Sequence, residues 1–174
     1  ETILDSASLE TSSWSLKRQA VALPALIGAV CEPLELASRP DQARLRRALD
    51  DDLPQVWIDR DLMERVLTNL ITNAIKYTPP HGEILVSARR AHSGHAVELS
   101  VSDNGHGISP EAQAHIFERF YQASEQDRRR GTGLGLYFCR LAVEAHGGSI
   151  SVQSAVGQGT TFTILLPLTD EPTP

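Results

Sequence analysis

The ten residues NLITNAIKYT, Asn69 to Thr78, hold two patterns at once. Leu70, Ile71, Ala74 and Ile75 form the apolar side of a buried helix, continuing a set at 62, 63, 66 and 67. At about 100° per residue, Asn69, Asn73 and Lys76 fall instead within a narrow arc beside that core face. A plain solvated face is the simplest account of such a row. Solvated faces elsewhere in this chain, however, are built from Arg, Glu and Asp. The chain has two lysines against fourteen arginines, so Lys76 reads as a compact point charge. An amide oxygen is a neutral hard ligand suited to Mg²⁺, and an ammonium suits a phosphate.

Working outward, Asp59 or Asp61 caps this helix, which runs to about Tyr77, and Thr78-Pro79-Pro80 stops it. Upstream, SLKRQAVAL is strand-like, Pro24 to about Ser38 is helical, and RLRRALD and QVWI are short strand candidates. Downstream, Ile84, Val86 and Ala88 alternate with polar partners, as do Val97, Leu99 and Val101, with HSGH as the turn between them. SPEAQAHIF begins a short helix at the N-cap Ser109. A further helix covers Leu134 to about His146, with Leu134, Phe138, Leu141 and Ala145 on one face, and Gly147-Gly148 ends it. SISVQS and TTFTILLP pair around Gly157 and Gly159. The sum is an α+β chain: a two-layer α/β sandwich with a mostly antiparallel sheet and about three helices on one face.

Composition narrows the function. With 174 residues, 41% of them hydrophobic, the chain suits one domain with a sizeable core. A net charge of -6 disfavours general nucleic-acid binding. Cys31 and Cys139 lie far apart in apolar settings, which reads as buried reduced thiols and suits the cytoplasm. No apolar run is long enough for a membrane span, so no direct membrane contact is expected, although a longer parent protein is free to carry an anchor.

Two glycine-bearing stretches join the helix as candidate chemistry. In SDNGHGIS, residues 102–109, an acid at a strand end precedes Gly-x-Gly, so backbone can approach a flat ligand while Asp103 accepts from an exocyclic amine. An ordinary Asp-Asn-Gly turn is the competing account. In RRRGTGLGL, residues 128–136, Gly131, Gly133 and Gly135 lead into a helix N-terminus, a natural anion site. A Walker loop is ruled out because the chain contains no Gly-Lys. A dinucleotide fingerprint is ruled out because the spacing is G-x-G-x-G after a polar loop, with Ser151 where a ribose-binding acid would stand.

In chain order the blocks are N-L-x-x-N-A-x-K-Y, D-x-G-x-G-I, F-E-R-F-Y and G-T-G-L-G-L. Together they resemble the ATP-binding catalytic domain of sensor histidine kinases, within the ATPase superfamily of gyrase, Hsp90 and MutL. The resemblance covers residues 15–168 and implies a Bergerat-type fold. It implies ATP and Mg²⁺ as cofactors, with Asn73 on the metal, Asn69 and Lys76 at the phosphates, and Tyr77 beside the adenine or ribose. Asp103 would take the adenine amine, helped by Gly105, Gly107 and Ile108, with Thr160 near the adenine. Phe117, Phe120 and Tyr121 would form a hydrophobic F box anchoring a mobile lid from about Gln122 to Thr132. Gly133, Leu134, Gly135 and Leu136 would offer backbone to phosphate. Many members carry Arg where this chain has Gln122; Arg128, Arg129 or Arg130 would then supply that charge.

The resemblance also implies a phosphoacceptor elsewhere. None of His81, His92, His95, His106, His115 and His146 sits in the expected His-Glu or His-Asp context on a long helix. Residues 1–14 would be the end of a dimerisation helix and its linker, and 169–174 a tail. The expected partners are a dimerisation domain bearing the histidine, in a homodimeric parent, and a response regulator. Hydrolytic relatives place a glutamate one helical turn before the metal asparagine; here that place is Asn69, which cannot act as a base. The competing functions are a gyrase- or Hsp90-type hydrolytic ATPase and a non-catalytic nucleotide sensor.

Overall fold

The computed structural model describes residues 15–37, 42–122 and 132–168. In chain order these form β1 (Arg18–Val21), α1 (Leu23–Ala37), β2 (Arg44–Leu49), β3 (Val56–Asp59) and α2 (Arg60–Tyr77). There follow β4 (Glu83–Arg90), β5 (Ala96–Asp103), the short α3 (Pro110–Gln113), α4 (Gly135–Ala145), β6 (Ser149–Ala155) and β7 (Gly159–Pro167). Five strands make the main sheet in the order β2-β4-β5-β7-β6. The β4–β5, β5–β7 and β6–β7 pairs are antiparallel, as the alternation of their sequences requires. The expected linker, tail, most of the lid and the three lid arginines lie outside the described residues.

Three features go beyond or depart from the reading of the sequence. The first and third strands leave the main sheet and pair with each other, Arg18 opposite Asp59. The second strand runs parallel to β4, because β3 and α2 form the crossover between them. The buried stripe of α4 is Phe138, Cys139, Ala142 and Val143, not the Leu134, Phe138, Leu141 and Ala145 face read from spacing; Leu141 and Ala145 are half-buried. This helix packs against both α2 and β6, so its apolar arc straddles two neighbours and its centre is set by where they stand.

The alternation of β4 and β5 sends Ile84, Val86, Ala88, Val97, Leu99 and Val101 inward, each at most 1% exposed. They meet Met63, Val66, Leu67, Leu70 and Ile71 of α2 in one continuous core. The opposite face of the sheet carries hydroxyl pairs, Ser87 with Ser100 and Ser102 with Thr161, each at 2.8 Å.

One buried polar junction fixes how α2 begins. Asp59 is its N-cap; its carboxylate accepts from Leu62 N at 3.2 Å and from Lys17 N, just before β1, at 2.9 Å. His146 donates from Nδ1 to Ala142 O at 2.7 Å, so Nε2 is the acceptor, and it takes the Asp59 N–H at 2.9 Å. Burial holds the His146 pKa below the ordinary 6.5. The neutral ring therefore stabilises the fold fully above the unfolded value, and that stability is lost as pH falls below it toward the depressed folded pKa. We expect the thermal midpoint to drop between pH 7.5 and pH 5.5. His146→Ala should lower stability at pH 7.5 by about 1–3 kcal/mol and flatten that dependence, read by thermal unfolding at both pH values.

Candidate nucleotide site

The second helix presents its C-terminal half to a cavity. Thr78 terminates it by returning both its N–H and its hydroxyl to Ala74 O, at 2.9 and 2.6 Å, while Pro79 has no N–H with which to continue. The core side of the helix is consumed by Leu70, Ile71 and Ala74. Asn73 and Tyr77 are left half-buried and Lys76 exposed at the rim of a cavity of about 570 Å³, a volume typical of small-molecule sites. The Lys76 ammonium lies 2.6 Å from the Tyr77 hydroxyl and 4.4 Å from its ring centroid.

A second wall comes from the end of β5. The register puts Asp103 opposite Ile84 on one side and Thr160 on the other, so the carboxylate ends a strand in the middle of the sheet. Its Oδ1 accepts from Gly105 N at 2.8 Å. Burial raises its pKa above the ordinary aspartate value, against backbone hydrogen bonds from Gly105 and Thr160 and the proximity of His106. The loop behind it is packed too tightly for side chains. A Cβ on Gly105 would strike Tyr77 O, and one on Gly107, at φ +72°, would strike Ala155 O.

A third wall comes from α4 and the segment before it. Gly135 opens the helix with no side-chain cap hydrogen bond, so its first-turn N–H groups have no partner within the helix, and Gly135 and Leu136 line the cavity. Thr132 and Gly133 stand on the same wall. Phe120 N donates to Gly133 O at 3.1 Å, so the two ends of the 122–132 segment meet.

The cavity thus brings together Asn73, Lys76, Tyr77, Asp103, Gly107, Ile108, Tyr121, Thr132, Gly133, Gly135, Leu136 and Thr160 from the residues singled out by sequence. Asn69, Gly105 and Leu134 stand behind its surface. Asn69 lies against α4, where a Cβ on Gly135 would be 3.7 Å from its Oδ1, close to the buried Cys139 thiol, which donates to Val66 O at 3.7 Å. Burial pushes that thiol up to about 12, and Cys31, also buried, to about 11. The F-box residues divide. Phe117 packs edge-on against Phe162 with centroids 6.1 Å apart, and Tyr121 joins the same core. Phe120 is 58% exposed with positive φ, and its ring lies under Arg119 instead of anchoring anything in the core. Its bond to Gly133 sets that backbone, which spacing does not reveal.

Sequence reading missed Thr72, His106, Ala112, Ile116 and Phe162 on the cavity wall. It also missed Ser154. The Ser154 hydroxyl accepts from Ile108 N at 2.8 Å and donates to Gly159 O at 2.7 Å. Gln113 adds bonds to Ile108 O and Ser154 O, at 2.8 and 3.0 Å. These ties hold the Gly107-Ile108 backbone against the β6–β7 hairpin. A small hydroxyl in a strand otherwise rich in serine gives no signal in sequence.

No resident metal cage exists among the described residues: no three His, Cys, Asp or Glu side chains converge. One neutral amide, Asn73, beside an ammonium suits instead a magnesium ion that arrives carried by phosphates, because Mg²⁺ keeps most of its own waters and takes few protein ligands.

Comparison with known proteins accords with this arrangement. Residues 58–170 match the family described as histidine kinase-, DNA gyrase B-, and HSP90-like ATPase, and the chain belongs to that family. It is 36% identical over 168 residues to the sensor protein SrrB of Staphylococcus aureus, covering 95% of this chain and 28% of that protein. The chain therefore spans under a third of the length of that curated relative. Among solved structures, full-length ShkA in complex with AMPPNP superimposes with a TM-score of 0.83 at 29% identity, over 98% of this chain and 36% of ShkA. The histidine kinase ThkA in complex with the response regulator protein TrrA gives 0.77 at 27% identity, over 97% of this chain and 47% of ThkA. The domain is a histidine kinase-type ATPase domain of the kind found in sensor kinases. No helix among the described residues is long and apolar enough to cross a membrane.

Proposed function

We propose that this domain binds ATP with Mg²⁺ and delivers the γ-phosphoryl group to a histidine on a separate dimerisation domain, in two-component signalling. The observation that carries the reading is a single cavity whose walls include both Asn73 and Asp103, with the open N-terminus of α4 between the flanking loops. In it, Asp103 accepts the adenine amine while Gly105 and Gly107 admit the flat base. Tyr77 and Thr160 border the nucleoside. Asn73 holds the magnesium ion that the phosphates bring, which would neutralise their charge. Lys76 positions the phosphates, with Asn69 bracing the wall behind them against α4, and Gly133, Gly135 and Leu136 offer N–H groups to them.

The chemistry needs little else from this chain. A neutral imidazole nitrogen of the acceptor attacks the γ-phosphorus, the bond to the β-phosphate oxygen breaks, and ADP leaves with that electron pair. Positioning and charge neutralisation are the domain's contribution. Water activation is disfavoured, because among the described lining residues Asp103 is the single carboxylate. The position that would carry a base holds the amide of Asn69.

ShkA is described in complex with AMPPNP and ThkA with a response regulator; the latter likeness supports a response regulator as this protein's downstream partner, and the motif resemblance supports a homodimeric parent working at the cytoplasmic side. The test incubates the domain with γ-labelled ATP, Mg²⁺ and the dimerisation domain of its own longer protein. Label on the acceptor histidine is expected. Rapid release of free phosphate with an unlabelled acceptor would establish the hydrolytic reading instead.

A further inference from the structure

In Gly105-His106-Gly107 only the middle residue has a side chain, and it lines the cavity beside Tyr77. The backbone there is held on three sides. Tyr77 O fills the space a Cβ at Gly105 would need, Ala155 O fills the space at Gly107, and Gly157 N donates to His106 O at 2.7 Å. The loop therefore has no freedom to close on a ligand, and its adjustable group is the imidazole. That ring is itself oriented. Its Nδ1 lies 2.6 Å from Gly107 O, which can only accept, so Nδ1 is the donor. Its plane stands at 78° to the Tyr77 ring with centroids 5.1 Å apart, an edge-to-face pair. Tyr77 is in turn contacted by Lys76, whose ammonium lies 2.6 Å from its hydroxyl and 4.4 Å from its ring centroid. The result is an aromatic corner contributed by two separate elements, the end of α2 and the loop after β5.

We infer that His106 is a ligand-contacting residue of the nucleotide site, which closes the base and ribose end by completing an aromatic corner with Tyr77. The inference rests on the nucleotide reading of the cavity and extends it to a residue that the sequence motifs leave unspecified. Its ligand class is the nucleoside portion, not the phosphates: Asp103 lies three residues before it, whereas Asn73 and the α4 N-terminus belong to the other walls. The aromatic surface is the functional part, so an aromatic replacement should serve.

The experiment measures dissociation constants of AMPPNP by calorimetry and of adenosine by NMR titration, for wild type, His106→Ala and His106→Phe. His106→Ala should weaken both ligands by a similar factor, roughly 3- to 10-fold, and His106→Phe should recover to within about twofold of wild type. Equal affinity of wild type and His106→Ala for both ligands would overturn the inference while leaving the nucleotide site intact. A loss confined to AMPPNP, with adenosine unaffected, would also overturn it, because the contact would then be electrostatic and at the phosphates. Failure of the wild-type domain to bind AMPPNP at all would instead remove the nucleotide reading itself.

Discussion

Asp103→Ala is expected to weaken ATP binding by about 100-fold, with secondary structure retained and a stability loss of about 1–3 kcal/mol from the hydrogen bond that Gly105 N gives up. Burial raises the Asp103 pKa above the ordinary aspartate value. A carboxylate with a raised folded pKa is penalised as an anion, so at neutral pH its charge subtracts from stability, and the penalty is relieved as pH falls through the raised value. The fold therefore gains nothing from keeping this charge at the end of β5. Asp103→Asn should hold or slightly raise the midpoint at pH 7 while still losing affinity, because the charged acceptor for an amine is gone. In the wild-type domain, affinity should fall with acidification at a pH above that of an ordinary aspartate. Calorimetric titration with ATP and Mg²⁺ from pH 7.5 to 4.5, beside circular dichroism, checks both. Retention of wild-type affinity by either variant would show that the base end of the ligand lies elsewhere. Asn73→Ala should act at the opposite function, lowering phosphoryl transfer to a supplied acceptor domain by about 100-fold or more.

Gly159→Ala is expected to cost about 3 kcal/mol or more, and with it most of the site. Gly159 holds φ +92°, and a Cβ there would overlap Asp103 O and come within 2.8 Å of Asn104 Cα. Neither neighbour can yield, since β5 and β7 are paired along their whole length up to Asp103 opposite Thr160. The strain would fall on the strand end that carries the carboxylate and on Ser154, whose hydroxyl donates to Gly159 O. Gly157→Ala is the matched control. It shares the positive φ, at +78°, but nothing lies within 4 Å of its built Cβ. Its cost should be about 1 kcal/mol, the conformational part alone. Urea unfolding of the pair, with ATP affinity measured beside it, separates the clash from the backbone preference. Equal costs for the two would show that β7 can move away from β5.

The particular elements show which physical signals reach the sequence. Helix α2 was legible along its length, because its core stripe and stop are local, the spacing from Met63 to Ala74 and Thr78-Pro79, while its cap was narrowed to Asp59 or Asp61 and the structure selects Asp59. The hairpins were legible because alternation and turn glycines act over a few residues. The departure of β1 and β3 into their own sheet was not, since four-residue strands carry too little pattern to name a partner. The stripe of α4 was displaced for a related reason: two neighbours, not one, define its inner side.

The sequence by itself determined that an amide, an ammonium, an acid and a glycine-led helix start belong to one chain in this order, and the family follows from that order. Their convergence is tertiary. Asn73 and Asp103 are thirty residues apart, and only the parallel crossover through α2 and the antiparallel return through β5 bring them to one cavity. The same packing placed Asn69 behind the wall, exposed Phe120, recruited Ser154 and turned His106 toward Tyr77. Residue type is written locally, whereas orientation depends on which backbone atoms leave no space for a Cβ. Those atoms come from segments distant in the chain, so only the folded structure decides them.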